Sequence, residues 1–206
     1  MMKLYYATGT CALASHIALE EAGAEYSTVK INFATSEQRS PEYLTINPKG
    51  RVPSLATDRG ILTETPAMLA FIAQSFPKAK LAPIDDPFGF AEVQAFNSYL
   101  CSTVHVAHAH RMRGTRWVDD PAAIEAMKQK VPETVGACFE LMETRMIRGP
   151  WVMGDTYTIC DPYLFTIAGW LESDSVDPAR FPKVKAHRDR MVERPAVRKV
   201  LEAEKA

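Results

Sequence analysis

The chain has 206 residues, 47% of them hydrophobic, and a formal net charge of −1, which supplies enough apolar material for one large core or two small ones and too little positive charge for a nucleic-acid surface. No uncharged apolar run approaches the length of a membrane span, and Met1-Met2-Lys3 leads into a strand rather than a signal peptide. Cys11, Cys101, Cys138 and Cys160 are scattered without paired or zinc-ligand spacing, which suits a reducing compartment and points to the cytoplasm.

Leu4-Tyr5-Tyr6-Ala7 is an apolar and aromatic run of strand length; the chain breaks at Thr8-Gly9-Thr10 and then takes helical spacing until Gly23 stops it. Tyr26 to Phe33 is rich in β-branched and aromatic residues and reads as a second strand. Strand, helix and strand in that order give a parallel pair with a right-handed crossover. Ser40-Pro41 marks a helix start. Val52 to Thr57 and Ile61 to Thr63 read as antiparallel strands joined at Asp58-Arg59-Gly60, with the Val52-Pro53 bond open to cis or trans. Thr65 and Pro66 look like the N-cap and first residue of a helix whose buried stripe is Met68, Leu69, Ile72 and Phe76. The order β-α-β-α-β-β-α over residues 1–79 is a thioredoxin-like arrangement, and the proline-punctuated stretch up to Pro87 reads as a linker.

Over residues 88–206 nothing reads as a strand, which predicts an all-α second domain. On its first helix Val93, Phe96, Leu100 and Val104 form an apolar stripe, while Asn97, Cys101, His105 and His108 form a more polar one suited to lining a cleft. A long helix follows from Asp120 to Met146. Thr158-Ile159-Cys160-Asp161 has capping-box form, although Pro162 inside the next helix forfeits a backbone bond. Two shorter helices, near Pro182 to Glu193 and Ala196 to Glu204, close the domain.

Cys11 is the chemically informative residue. At the head of a helix, unpaired N–H groups and the dipole favour a thiolate, so its position predicts a depressed pKa; an inert buried cysteine is the plain alternative. A dithiol redox helix needs a second cysteine where Ala14 stands. Any partner sulfur must therefore come from outside the protein, and glutathione is the abundant intracellular choice. His105 and His108 lie one turn apart, but with no carboxylate or cysteine completing a ligand set they read, with Arg111, Arg113 and Arg116, as a solvated basic helix end rather than a metal site. Trp117, Trp151 and Trp170 read as core or loop anchors.

Several segments occur together in a telling order: Lys3 to Tyr6 leading to Gly9-Thr10-Cys11, the run Asn47 to Pro53, Leu62-Thr63-Glu64-Thr65, Val104-His105, Thr158 to Asp161 with Tyr163-Leu164-Phe165, and Glu193-Arg194-Pro195. Together they resemble bacterial glutathione S-transferases, most of all the cysteine-containing beta class, over nearly the whole chain. The resemblance implies that glutathione is the co-substrate and that no metal is used. It implies that Cys11 contacts the glutathione sulfur, that the backbone of Val52 before a cis Pro53 pairs with the tripeptide, and that Glu64 and Thr65 hold its γ-glutamyl end. His105 would face the sulfur across the cleft, and Arg51 and Ser98 would complete the glutathione-binding set. Independently, a carboxylate beside a helix N-terminus offers one partner for an ammonium and one for a carboxylate, as an α-amino acid end requires.

The chain departs from the family pattern at three places: Ala12 replaces the serine that often follows the cysteine, and Ala34-Thr35-Ser36 replaces a loop lysine, leaving Arg39 as the nearest cation. Ser98 stands where the family has an asparagine, with Asn97 one place earlier. The implied activity is conjugation of the glutathione thiolate to small hydrophobic electrophiles by a homodimer, with thiol transfer through Cys11. A glutathione-dependent disulfide reductase and a non-catalytic binder of hydrophobic compounds are the alternatives on the same fold.

Overall fold

A computed structural model describes residues 1–205. Strands β1 (Met2–Tyr6) and β2 (Tyr26–Lys30) pair in parallel with helix α1 (Ala12–Glu21) between them. After α2 (Pro41–Ile46), the antiparallel strands β3 (Ser54–Thr57) and β4 (Gly60–Thr63) complete a sheet of order β2-β1-β3-β4. Strand β3 begins after Pro53, which has no N–H for the ladder, and sets Leu55 opposite Leu4, both fully buried. Helix α3 (Thr65–Ser75) packs beside α1 and finishes the thioredoxin-like unit.

The second half is helical throughout: α4 (Pro87–Tyr99), α5 (His105–Ala109), α6 (Pro121–Leu141), α7 (Cys160–Ala168), α8 (Pro182–Val192) and α9 (Pro195–Lys205). Helix α4 runs into α5 through a π-helical turn at Leu100–Val104. None of the helices among the described residues is long and apolar enough to cross a membrane.

Helix α1 explains how the halves join. Its sequence has no amphipathic stripe, because Ala12, Ala14, Ile17, Ala18 and Leu19 are covered from all sides. The sheet and α3 cover one side, and α7 and α9 of the helical half cover the other. The buried His16 Nδ1 and Glu204 Oε1 meet at 3.0 Å, and Arg194 makes a two-pronged pair with Glu21 at 2.5 and 2.8 Å. One apolar cluster consequently runs from Leu4 and Leu55 through Leu164 to Phe181. The head of α1, where Cys11 lies, is pinned from both halves.

Two helix starts depart from the sequence reading. Thr65 is the first helical residue of α3 rather than its cap, and Glu64 precedes it at φ +71°, a conformation that costs a non-glycine residue about 1 kcal/mol or more. Pro162 is the third residue of α7, where the N–H has no intrahelical partner in any helix, so the expected loss of a bond does not arise. Asp161 does reach back, its Oδ2 accepting the Thr158 N–H at 2.7 Å, but it also accepts Val152 N–H at 2.9 Å and faces His187 Nε2 at 3.0 Å.

Candidate active site

Between the two halves lies a cleft of about 520 Å³. Cys11, Arg51, Val52, Pro53, Glu64, Thr65 and His105, far apart in sequence, all line it. All but His105, which lies within the continuous helix that runs from α4 into α5, come from loops or element ends, where backbone groups are free to face a ligand.

The Arg51 to Pro53 segment is held by a buried polar cluster. The Arg51 carbonyl accepts the Tyr43 hydroxyl and the Asn47 amide, each at 2.7 Å, and Asn47 also donates to Ser54 Oγ at 3.1 Å. Gly50, at φ +59°, lets this loop approach the preceding one: a Cβ there would stand 2.9 Å from the Gln38 carbonyl. The Val52-Pro53 bond is cis. The Val52 carbonyl points into the cleft's chemistry, since the Cys11 thiol donates to it at 3.7 Å.

Cys11 forms the cap position of α1, yet its thiol does not titrate low. Burial pushes it above the usual thiol range, outweighing the Thr65 hydroxyl, the Arg113 charge and the helix-end backbone, which all favour the thiolate. The sequence weighed the helix end and could not see the burial. A protonated Cys11 is a donor, poised to stabilise a negative sulfur placed beside it.

Across the cleft, His105 is held neutral: burial first, then the charges of His108, Arg113, Arg116 and Arg51, bring its pKa down to about 4. Its ring meets the edge of Trp170 at 5.0 Å. His108 stacks on the same indole at 4.3 Å and sets Nδ1 2.8 Å from the buried Asp174 carboxylate. Trp170 in turn donates from Nε1 to the Gly9 carbonyl at 3.1 Å, tying the helical half to the loop that carries Cys11. His108 is thereby committed to Asp174 and Trp170, and His110 to the edge of Trp117, so neither histidine joins His105 in a ligand set.

Glu64 presents its carboxylate at the head of α3, where Lys49 pairs with it and also donates to Thr63 Oγ1 at 2.7 Å. Ser98 is not brought in. It is exposed on α4, away from the residues lining the cleft, and its carbonyl accepts Ser102 Oγ at 2.8 Å. Seven residues return to the same face of a regular α-helix, but the π turn between Ser98 and His105 breaks that register. Asn97, fully buried, does not line the cleft, whereas Cys101, His105 and His108 do. Trp170, Arg113, Arg116 and Tyr163 also line the cleft, where Trp170 had read as an anchor and the two arginines as a solvated helix end.

Comparison with known proteins agrees with this architecture. The family model for the glutathione S-transferase N-terminal domain matches residues 1–74, and that for the C-terminal domain matches residues 78–195. The chain belongs to the glutathione S-transferase family. It is 31% identical to glutathione S-transferase GstA of Escherichia coli O157:H7, over 98% of both chains. A glutathione transferase homolog from Sulfitobacter, solved with bound glutathione, superimposes with a TM-score of 0.96 at 45% identity over 98% of both chains. The beta-class glutathione S-transferase of Sphingomonas chungbukensis superimposes with a TM-score of 0.85 at 32% identity, again over 98% of both. This transferase is thus similar to bacterial members of the family, a beta-class enzyme among them.

Proposed function

We propose that this chain joins the sulfur of glutathione to small electrophiles in the cleft between its halves. The observation that carries the reading is the convergence of Cys11, the Val52 backbone, Glu64 with Thr65, and His105 on that one cleft. The γ-glutamyl ammonium replaces Lys49 at the Glu64 carboxylate, and its carboxylate takes the N-terminus of α3. The Val52 backbone pairs with the cysteinyl residue, which brings the glutathione sulfur to Cys11. There the protonated Cys11 donates to the forming thiolate and neutral His105 adds a second donor, lowering the thiol's pKa without a neighbouring positive charge. The electrophile enters from the Trp117 and Trp170 side. Turnover of 1-chloro-2,4-dinitrobenzene with glutathione tests the reading, and a folded, reduced protein giving only the uncatalysed rate would refute it.

A second reaction follows from the sulfur itself. Facing the cleft, the Cys11 sulfur attacks a glutathione disulfide, releases one glutathione as the thiol and keeps the other as a mixed disulfide. Helix α1 holds no second cysteine, and burial raises the pKa of the Cys101 thiol that lines the same cleft, so a further glutathione resolves the adduct. The enzyme works in the cytoplasm as a homodimer. Light scattering gives a mass twice that of one chain on this reading, and a monomer at micromolar concentration contradicts it.

A further inference from the structure

The cleft carries more positive charge than glutathione can use. Arg39, Arg51, Arg113 and Arg116 all line it, and among the described residues none of the four has a carboxylate within 4.0 Å. Burial first, and then the nearby charges of Arg113, Arg51 and Arg39, lower the affinity of Arg116 for its own proton. The one carboxylate lining the cleft, Glu64, already has Lys49. Such a cluster raises the free energy of the unliganded chain and is relieved by an anion.

Glutathione brings two carboxylates and one ammonium. On the reading above, its γ-glutamyl end is taken by Glu64 and the head of α3, which leaves Arg39 and Arg51, on the thioredoxin-like half beside the Val52 backbone, for its glycyl carboxylate. Arg113 and Arg116 come from the other half, in the loop between α5 and α6, beside Trp117, which is 47% exposed. Arg113 reaches both sides of the reaction, since its charge acts on Cys11 and on His105. An anionic group held there sits within reach of an attacking sulfur, while an apolar body rests on the indoles of Trp117 and Trp170 and on Val106, itself 37% exposed.

From this we infer that the acceptor substrate is an electrophile bearing a carboxylate on an aromatic or unsaturated body, with Arg113 and Arg116 binding the carboxylate. The inference rests on the transferase reading and adds the substrate class to it. Guanidinium groups suit the task because their planar fork matches a carboxylate with two parallel bonds. They also steer a negative substrate into the cleft.

The test compares 4-chloro-3,5-dinitrobenzoate with its methyl ester. In both, the glutathione sulfur bonds to the ring carbon bearing chlorine, chloride leaves with the electron pair of the C–Cl bond, and the thiol proton passes to solvent. Each kcat/KM is divided by the rate constant of the same compound with glutathione alone, which removes the difference in intrinsic reactivity. The acid is preferred at least about tenfold, the kinetic equivalent of one charge-assisted hydrogen bond, and Arg113→Gln/Arg116→Gln brings the ratio to near one. A wild-type ratio of one or less overturns the inference, as does a preference that survives in the double variant. If neither compound is turned over, the transferase reading has failed, and calorimetric binding decides the inference on its own. Unreactive 3,5-dinitrobenzoate should then bind tighter than its methyl ester and lose that advantage in the double variant; equal binding overturns it.

Discussion

The indole Nε1 of Trp170 donates to the carbonyl of Gly9, 161 residues earlier, at 3.1 Å. This bond joins the helical half to the loop leading into Cys11, and the same indole is stacked against His108 and meets His105 edge-on. Trp170 therefore sets the separation between the sulfur site and the histidine across from it. Trp170→Phe keeps an aromatic surface but leaves the Gly9 carbonyl without its donor. The expected cost is about 1 kcal/mol in urea unfolding, together with a several-fold fall in kcat/KM for aryl conjugation. Wild-type kinetics in the variant would remove Trp170 from any positioning role.

His105 yields a prediction whose sign is fixed by its pKa. That value is about 4 in the folded chain against 6.5 for a free histidine, so between these values the unfolded chain binds more protons. Stability from this source is fully present above pH 6.5 and is lost as the pH falls toward 4. His105→Gln, which cannot titrate, should lose less stability than wild type between pH 7 and pH 5, read from urea midpoints. In wild type, conjugation should show no histidine limb between pH 5 and 7. An imidazole NMR titration of His105 centred near 6.5 would contradict both expectations.

Asp161, fully buried, accepts the N–H groups of Val152 and Thr158 and faces His187 Nε2. Asp161→Asn replaces one of its two acceptor oxygens with an NH2 group, which opposes a donor in a place water cannot reach. We expect a loss of about 2–4 kcal/mol, measured by chemical unfolding. A loss below about 0.5 kcal/mol, the level of an ordinary surface substitution, would mean the network does not hold the start of α7.

The sequence made local features readable and left relational ones hidden. The strands and helices of the thioredoxin-like half announce themselves through period and punctuation, and the runs Arg51 to Pro53 and Glu64-Thr65 are contiguous, so their place in the cleft follows once the fold is known. Trp170 could not be placed, because its partner Gly9 is remote and nothing near Gly169 marks the residue as functional. The π turn at Leu100–Val104 carries no composition signal, and it breaks the seven-residue register between Ser98 and His105. Burial misled the reading of Cys11 for the same reason: the helix end is a local property, whereas the walls that desolvate the sulfur come from both halves. Arg113 and Arg116 read as a solvated helix end because the cleft they border is closed by residues from the first half of the chain.

For Cys11 the raised thiol pKa predicts slow alkylation at neutral pH in the ligand-free protein, rising steeply as the pH passes the usual thiol range. Cys138 and Cys160, both buried, should label more slowly still. Oxidised glutathione should leave one adduct, at Cys11. Cys11→Ala should abolish disulfide reduction, which needs the protein sulfur, and retain part of aryl conjugation, in which glutathione is the nucleophile. Peptide-mapped mass spectrometry across pH, with both activities assayed on each protein, reads these outcomes. Rapid labelling of Cys11 at pH 6, or undiminished disulfide reduction in the variant, would contradict them.

If the cleft bordered by Cys11, Val52, Glu64 and His105 is a glutathione site, calorimetric titration of the folded, reduced chain with glutathione reads it without any assay of turnover. Saturable binding of one tripeptide per chain is expected below millimolar concentration, weakened at least about tenfold by Glu64→Gln, which removes a charged partner of the γ-glutamyl ammonium. No saturable heat at millimolar glutathione, or unchanged affinity in Glu64→Gln, would contradict it.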